Sequence, residues 1–187
     1  MASVYKQQLI DWLSQLEVEA DTVIDIGGSQ DPVKGRTKSW AVDNYLIADL
    51  PDPHRMKQSP DVILDLEEDI TTTQRADLIF CLEVFDYIRD PIKAHSNLSR
   101  MLKKNGSAWV SYPFIYPHHN PIELDGLRYT EPTIRYYADL FKLNVDEIVY
   151  RRPRSTLLRQ YFAEDNFRAS SGYDHNVIGY IVRFTKK

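Results

Sequence analysis

Four apolar stretches of this chain run into a carboxylate. Val23-Ile24 leads to Asp25, Tyr45–Ala48 to Asp49, Val62–Leu64 to Asp65, and Leu78–Leu82 to Glu83. Short, near-continuous apolar runs of this kind are expected of strands buried on both faces of a parallel sheet. In a parallel sheet the strand ends lie along one edge, where ligands bind, so the spacing brings the carboxylates together. A carboxylate there can accept hydrogen bonds from ribose hydroxyls, as in other nucleotide-binding sheets. Asp25 is followed at once by Ile26 and then Gly27-Gly28. Two glycines after a strand make a tight turn where backbone N–H groups can approach a ligand closely. Each acid taken alone is equally well a turn or cap residue.

The elements that would position these groups are readable around them. Tyr5, Leu9, Trp12, Leu13 and Leu16 recur at helical spacing, which predicts an amphipathic helix within residues 1–20. Strands are expected at about 22–27, 45–48, 62–64, 78–82, 108–112, 145–150 and 177–184. Asp90-Pro91 reads as an N-cap and first helical residue, with Leu98, Met101 and Leu102 on the buried face and Asn105-Gly106 as the stop. A second helix should begin at Thr130, with Ile134, Tyr137, Ala138 and Phe141 forming its stripe. No helical stripe is readable in residues 33–42, so the connection after the first strand is expected to be a loop.

Composition narrows the class. A chain of 187 residues with 43% hydrophobic and 27% charged residues is expected to fold as a single domain. Its net charge of −4 argues against a general nucleic-acid coat. No apolar run approaches the length of a membrane span, and the first residues lack the apolar core of a secretory signal. The single cysteine, Cys81, excludes an intrachain disulfide and a multi-cysteine metal site. The cytoplasm is the expected compartment.

With the elements placed, the chain resembles a class I S-adenosylmethionine-dependent methyltransferase, most of all the small type 11 domains. The resemblance rests on segments occurring in order. Cys81-Leu82-Glu83-Val84-Phe85-Asp86-Tyr87-Ile88-Arg89-Asp90-Pro91 resembles the family's strand, Leu-Glu-His-Val turn and helix-opening Asp-Pro. Leu102-Lys103-Lys104-Asn105-Gly106, Ser111-Tyr112-Pro113-Phe114 and Arg128-Tyr129-Thr130 resemble three further family segments. Ser29 and Asp31 stand where the family's loop carries its second and third glycines, and Tyr87 stands where it often carries histidine.

The resemblance implies a Rossmann-like, doubly wound α/β fold. Its seven-stranded sheet would be mostly parallel, with an antiparallel seventh strand. It also implies S-adenosylmethionine as cofactor. Asp25, Gly27 and Gly28 would hold its methionine part and Asp49 its ribose. Asp65 and Leu66 would meet the adenine, and Leu82 and Glu83 would face the methionine segment and methyl group. Asp31 would bring negative charge near the cofactor carboxylate unless Lys34 or Arg36 offsets it.

His118 and His119 follow the fifth strand and are candidates for a base, since histidine titrates near neutrality. They are equally candidates for plain surface residues, and a metal reading with Glu123 and Asp125 is the weaker one. An antiparallel last strand would place residues 151–176 on the active-site edge. That segment carries Arg151, Arg152, Arg154, Arg159 and Arg168 with Tyr161, Phe162 and Phe167. Together with Tyr116, Arg128 and Tyr129 they suggest a small anionic acceptor, such as a phosphorylated or carboxylated sugar or glycan precursor. The same arginines would serve equally well to pair with the protein's acids. The rival readings are a cofactor-binding but non-catalytic module that supports a partner, a nicotinamide-dependent reductase, and a nucleic-acid methyltransferase. The charge and the lack of an Asn-Pro-Pro-Tyr-like motif oppose the last.

Overall fold

A computed structural model describes residues 3–118, 122–154 and 176–187. The first helix, α1, spans Val4–Leu13. It leads into β1 (Glu17–Ile26), β2 (Ser39–Asp49), β3 (Val62–Ile63) and β4 (Ala76–Cys81). Helix α2 (Pro91–Met101) precedes β5 (Leu102–Pro113), and helix α3 (Glu131–Leu140) precedes β6 (Leu143–Arg151) and β7 (Gly179–Lys186). The seven strands form one sheet in the order β3-β2-β1-β4-β5-β7-β6. Strands β1 to β5 pair in parallel, and β7 is antiparallel to both β5 and β6.

Local sequence explains the helices. Ser3, Asp90 and Thr130 each cap a helix by accepting a backbone N–H from inside its first turn. Pro91 and Pro132 sit in first turns, where the missing N–H has no intrahelical partner to lose. Leu9 and Leu13 of α1 pack on one sheet face against Val18, Val23, Phe80 and Ile181. On the other face Leu98 and Met101 of α2 and Ile134 and Ala138 of α3 pack against Ile24, Ile79 and Val110 among others. The core is therefore split into two layers by the sheet, as in other doubly wound folds.

Several boundaries differ from the sequence expectation. Strand β1 starts at Glu17 rather than Thr22, because Glu17, Glu19 and Asp21 point to solvent while Val18 is buried. Strand β5 begins at Leu102, directly after the helix, rather than at Ala108. Asn105 takes a positive φ of 62° within β5, near an irregularity in its pairing with β4. Asn105-Gly106 thus bends the strand and does not stop the helix. Residues 27–38 form a loop, as expected, and no helix occupies the β2–β3 or β3–β4 connection.

Candidate functional site

The end of β1 places Asp25 at the bottom of the carboxyl edge, 2% exposed. Its Oδ2 accepts from the Tyr45 hydroxyl at 2.6 Å and from the Val33 N–H at 2.7 Å. Burial pushes this carboxyl up to about 6, against the lowering effect of those two hydrogen bonds. Gly27 follows at φ +79°, and a Cβ there would lie 2.5 Å from a methyl of Val84. A Cβ on Gly28 would lie 2.6 Å from the Asp25 carboxylate. Both glycines are thus demanded by the protein's own packing at the turn.

The acids of β2 and β3 serve the loops around that turn. Asp49 accepts from the Ser29 N–H through Oδ2 and from the Leu50 N–H through Oδ1. Ser29, at a family glycine position, is fully buried, and its carbonyl accepts from Lys57 and Gln58 N–H groups. Asp65 is exposed and accepts from the Glu67 N–H, whereas Leu66 is buried in the core. Asp31 pairs with Lys6 and Lys57, each at 2.7 Å. Those two lysines supply the compensation expected of Lys34 or Arg36; Arg36 reaches only the Asp31 carbonyl.

A cavity of about 650 Å³ opens at this edge. Its walls include Asp25, Gly27, Leu82, Glu83, Tyr116 and His118, all singled out in the sequence. Gly28, Asp49, Asp65 and Leu66 are not on its wall, and His54 and Arg55 from the loop after β2 are. The start of α1 closes one side through Ser3, Tyr5 and Lys6.

Glu83 sits just beyond β4 at φ 57°, a conformation an L-residue holds only when its surroundings fix it. The Glu83 N–H donates to Ser111 Oγ at 2.7 Å, and Glu83 Oε1 accepts from Ser111 Oγ and from Arg151, both at 2.8 Å. Arg151 was expected in an exposed acceptor loop. It is instead the last residue of β6, with 1% of its side chain exposed. Its other terminal nitrogen donates to the Tyr5 carbonyl at 2.8 Å, and its guanidinium lies 3.4 Å from the centre of the Tyr5 ring. That arrangement locks α1 to the wall.

The remaining acceptor-side candidates divide. Tyr116 is on the wall, 4.5 Å from the Tyr5 ring. Arg128 is not on the wall; it bonds Asp125 at 2.9 and 3.0 Å and the carbonyls of Tyr116 and Pro117, so it props that segment from behind. Tyr129 is buried in the core against Phe85 and Tyr112. Arg154 lies over α1, 3.7 Å from Asp11, and the Arg152 carbonyl accepts from Gln8 of the same helix. Neither arginine reaches the cavity wall. His118 Nδ1 lies 3.0 Å from Asp125 Oδ2, with its ring largely in solvent. His119, Arg159, Arg168, Tyr161, Phe162 and Phe167 fall outside the described residues. Among the described residues no group of three or more His, Cys, Asp or Glu is placed to hold a metal ion.

Sequence reasoning passed over Asp86. It is 2% exposed, lies on the cavity wall, and its Oδ1 has no hydrogen-bond partner among the described residues. Burial first, then the neighbouring charge of Glu83, pushes this carboxyl up to about 7. Its signal lay in the turn after β4, where an acid precedes Tyr87 inside an otherwise apolar stretch.

A sheet ordered 3-2-1-4-5-7-6 with a reversed seventh strand, and a cavity over the ends of β1 and β4, defines the class I methyltransferase architecture. The profile of the methyltransferase domain family matches residues 1–169, and the chain belongs to that family. A search of curated proteins finds no match by sequence. Solved structures share the fold at low identity. One contains the Haloferax volcanii Trm112 methyltransferase activator with its methyltransferase (TM-score 0.64, 14% identity, 97% of this chain and 88% of that one). Another is the N-methyltransferase NodS of Bradyrhizobium japonicum with S-adenosyl-L-homocysteine (0.61, 15%, 97% and 86%). A third is an S-adenosylmethionine-dependent methyltransferase of Mesorhizobium loti (0.63, 11%, 99% of each chain). Among the described residues no helix is long and apolar enough to cross a membrane.

Proposed function

We propose that the cavity over β1 and β4 is where a methyl group passes from S-adenosylmethionine to a small acceptor molecule. The observation that carries this reading is the meeting of Asp25, the Gly27 turn, Leu82 and Glu83 on one wall. A volume of about 650 Å³ falls within the range of cofactor and small-ligand sites. The turn fits the group: a side chain at Gly27, on the wall, would collide with Val84, so backbone alone faces the ligand there.

In this reading Asp25 and Glu83 receive the ammonium of the methionine part, and Lys6 and Arg36 on the same wall receive its carboxylate. Asp49, off the wall, holds the Ser29 and Leu50 N–H groups and so supports the loop behind the site. His54 and Arg55 shape the adenosine end, where Asp65 and Leu66 were expected. When bound, the cofactor supplies a methyl group on a sulfonium, a good leaving centre. The protein's contribution is then mostly alignment and exclusion of water. The placement of Arg152 over Tyr150 and of Arg154 beside Asp11 of α1 gives no support to an anionic sugar or glycan acceptor.

Calorimetric titration with S-adenosylmethionine, S-adenosylhomocysteine and NADH tests the reading. Binding of the first two alone, weakened at least tenfold by Asp25→Asn, is the expected result. Failure of both to bind overturns it and favours a methyltransferase-like module that supports a partner.

A further inference from the structure

Two carboxylates beside the cavity have their cations. Glu83 is bonded to Arg151, and Asp125 to Arg128. Asp86 lies among them without one, its Oδ1 buried and without a hydrogen-bond partner among the described residues. A buried carboxyl oxygen left like this is costly unless something completes it. Tyr87 and Tyr116 line the same wall, and aromatic faces with a carboxylate form a setting that attracts a cation. The nearby guanidinium groups are already engaged by Glu83, Asp125 and backbone carbonyls.

We propose that Asp86 is the acceptor-binding carboxylate of this site, and that the acceptor is a small amine which arrives as an ammonium and gives its proton to Asp86. This rests on the cavity being the methyl-transfer site. The balance is simple. The ammonium passes one proton to Asp86, which becomes a carboxylic acid. The freed nitrogen lone pair forms the new bond to the methyl carbon, and the carbon–sulfur bond breaks with its electron pair remaining on sulfur. Asp86 then returns the proton to solvent. A carboxyl standing near 7 is poised for this exchange at neutral pH. The charged and titratable groups facing Asp86 are Glu83 on its own turn, Arg151 from β6, and Asp125 and Arg128 from the segment before α3. Tyr5, Tyr87 and Tyr116 also feel its charge.

The test needs no knowledge of the natural acceptor. The full chain is saturated with S-adenosylhomocysteine and titrated calorimetrically with n-butylammonium chloride, with n-butanol as the neutral comparator. Butylammonium binds the wild type and butanol does not. Asp86→Asn weakens butylammonium about tenfold or more while S-adenosylhomocysteine affinity is kept. In the wild type the affinity rises with pH through about 7, as Asp86 ionises, and in the variant that rise is lost. If the variant fails to fold, the wild-type pH profile and the butanol comparison still decide. No butylammonium binding to the loaded wild type, equal binding by the variant, or an affinity that falls with pH overturns the proposal. Failure of S-adenosylhomocysteine itself to bind overturns the cofactor reading instead.

Discussion

Replacing Arg151 with methionine removes a buried cation while keeping an unbranched side chain that fills irregular space. The substitution deletes the bonds to Glu83 Oε1 and the Tyr5 carbonyl, both 2.8 Å, and the stacking under the Tyr5 ring. Removing one partner of a fully buried pair costs about 3–5 kcal/mol. The Glu83 side chain is 31% exposed, so water can partly resolvate it. Arg151 Nε is itself buried without a partner among the described residues, and its loss relieves that cost. The net expectation is therefore at the lower end, about 2–3 kcal/mol. For a domain of this size that lowers the melting temperature by roughly 5–10 °C. Thermal unfolding followed by circular dichroism at pH 7.5 and low salt measures it. Arg151→Met combined with Glu83→Gln should unfold less readily than Arg151→Met alone, because no charge is then stranded. A single variant melting within about 2 °C of wild type, or a double variant no better than the single, refutes the argument.

Three further outcomes are expected. Asp86 stands near 7 in the folded chain and in the ordinary carboxyl range when unfolded. Its contribution to stability is complete below about pH 4 and is lost as pH rises to about 7. Asp86→Asn should therefore gain on the wild type by a few kcal/mol across that window and hold the gain above it. Chemical denaturation at a series of pH values reads this, and a difference independent of pH contradicts it. Tyr45→Phe removes a bond that lowers Asp25, so the Asp25 carboxyl should titrate above about 6; carbon-13 carboxyl spectra across pH would show a fixed or lower value if the bond were idle. Gly27→Ala combines a φ of +79° with a 2.5 Å approach to Val84 and should cost about 2–4 kcal/mol. Val84→Ala should recover part of that loss in a double-mutant cycle, and full additivity would deny the clash.

The strand ends were legible because buried parallel strands are written in apolar runs, and Asp25, Asp49, Asp65 and Glu83 interrupt those runs at the sheet edge. The caps at Asp90 and Thr130 were legible because capping chemistry is local. The start of β1 was not, since Glu17, Glu19 and Asp21 alternate outward and resemble a polar linker. Roles set by distant partners were also hidden. Arg151 reads as one of several loop arginines until β6 brings it to Glu83, 68 residues earlier in the chain. Tyr129 reads as a binding-site aromatic but packs against Phe85 and Tyr112. Asp86 reads as a turn residue until burial leaves its Oδ1 without a partner among the described residues.

The position of Tyr5 also sets an order of assembly. Its hydroxyl donates to the Tyr112 carbonyl, and its ring lies where any side chain on Gly179 would stand. Among the described residues β7 is the only strand to which β6 pairs, so β6 and its Arg151 join the sheet only together with β7 beside β5. Helix α1 therefore waits for a strand more than 160 residues later in the sequence before its tyrosine finds both neighbours and its carbonyl finds the Arg151 donor. The wall formed by Ser3, Tyr5 and Lys6 is completed only once β6 and β7 have joined the sheet. A nascent chain stalled before Gly179 can carry β1 to β5 and both glycines of the turn and still lack a closed cofactor site.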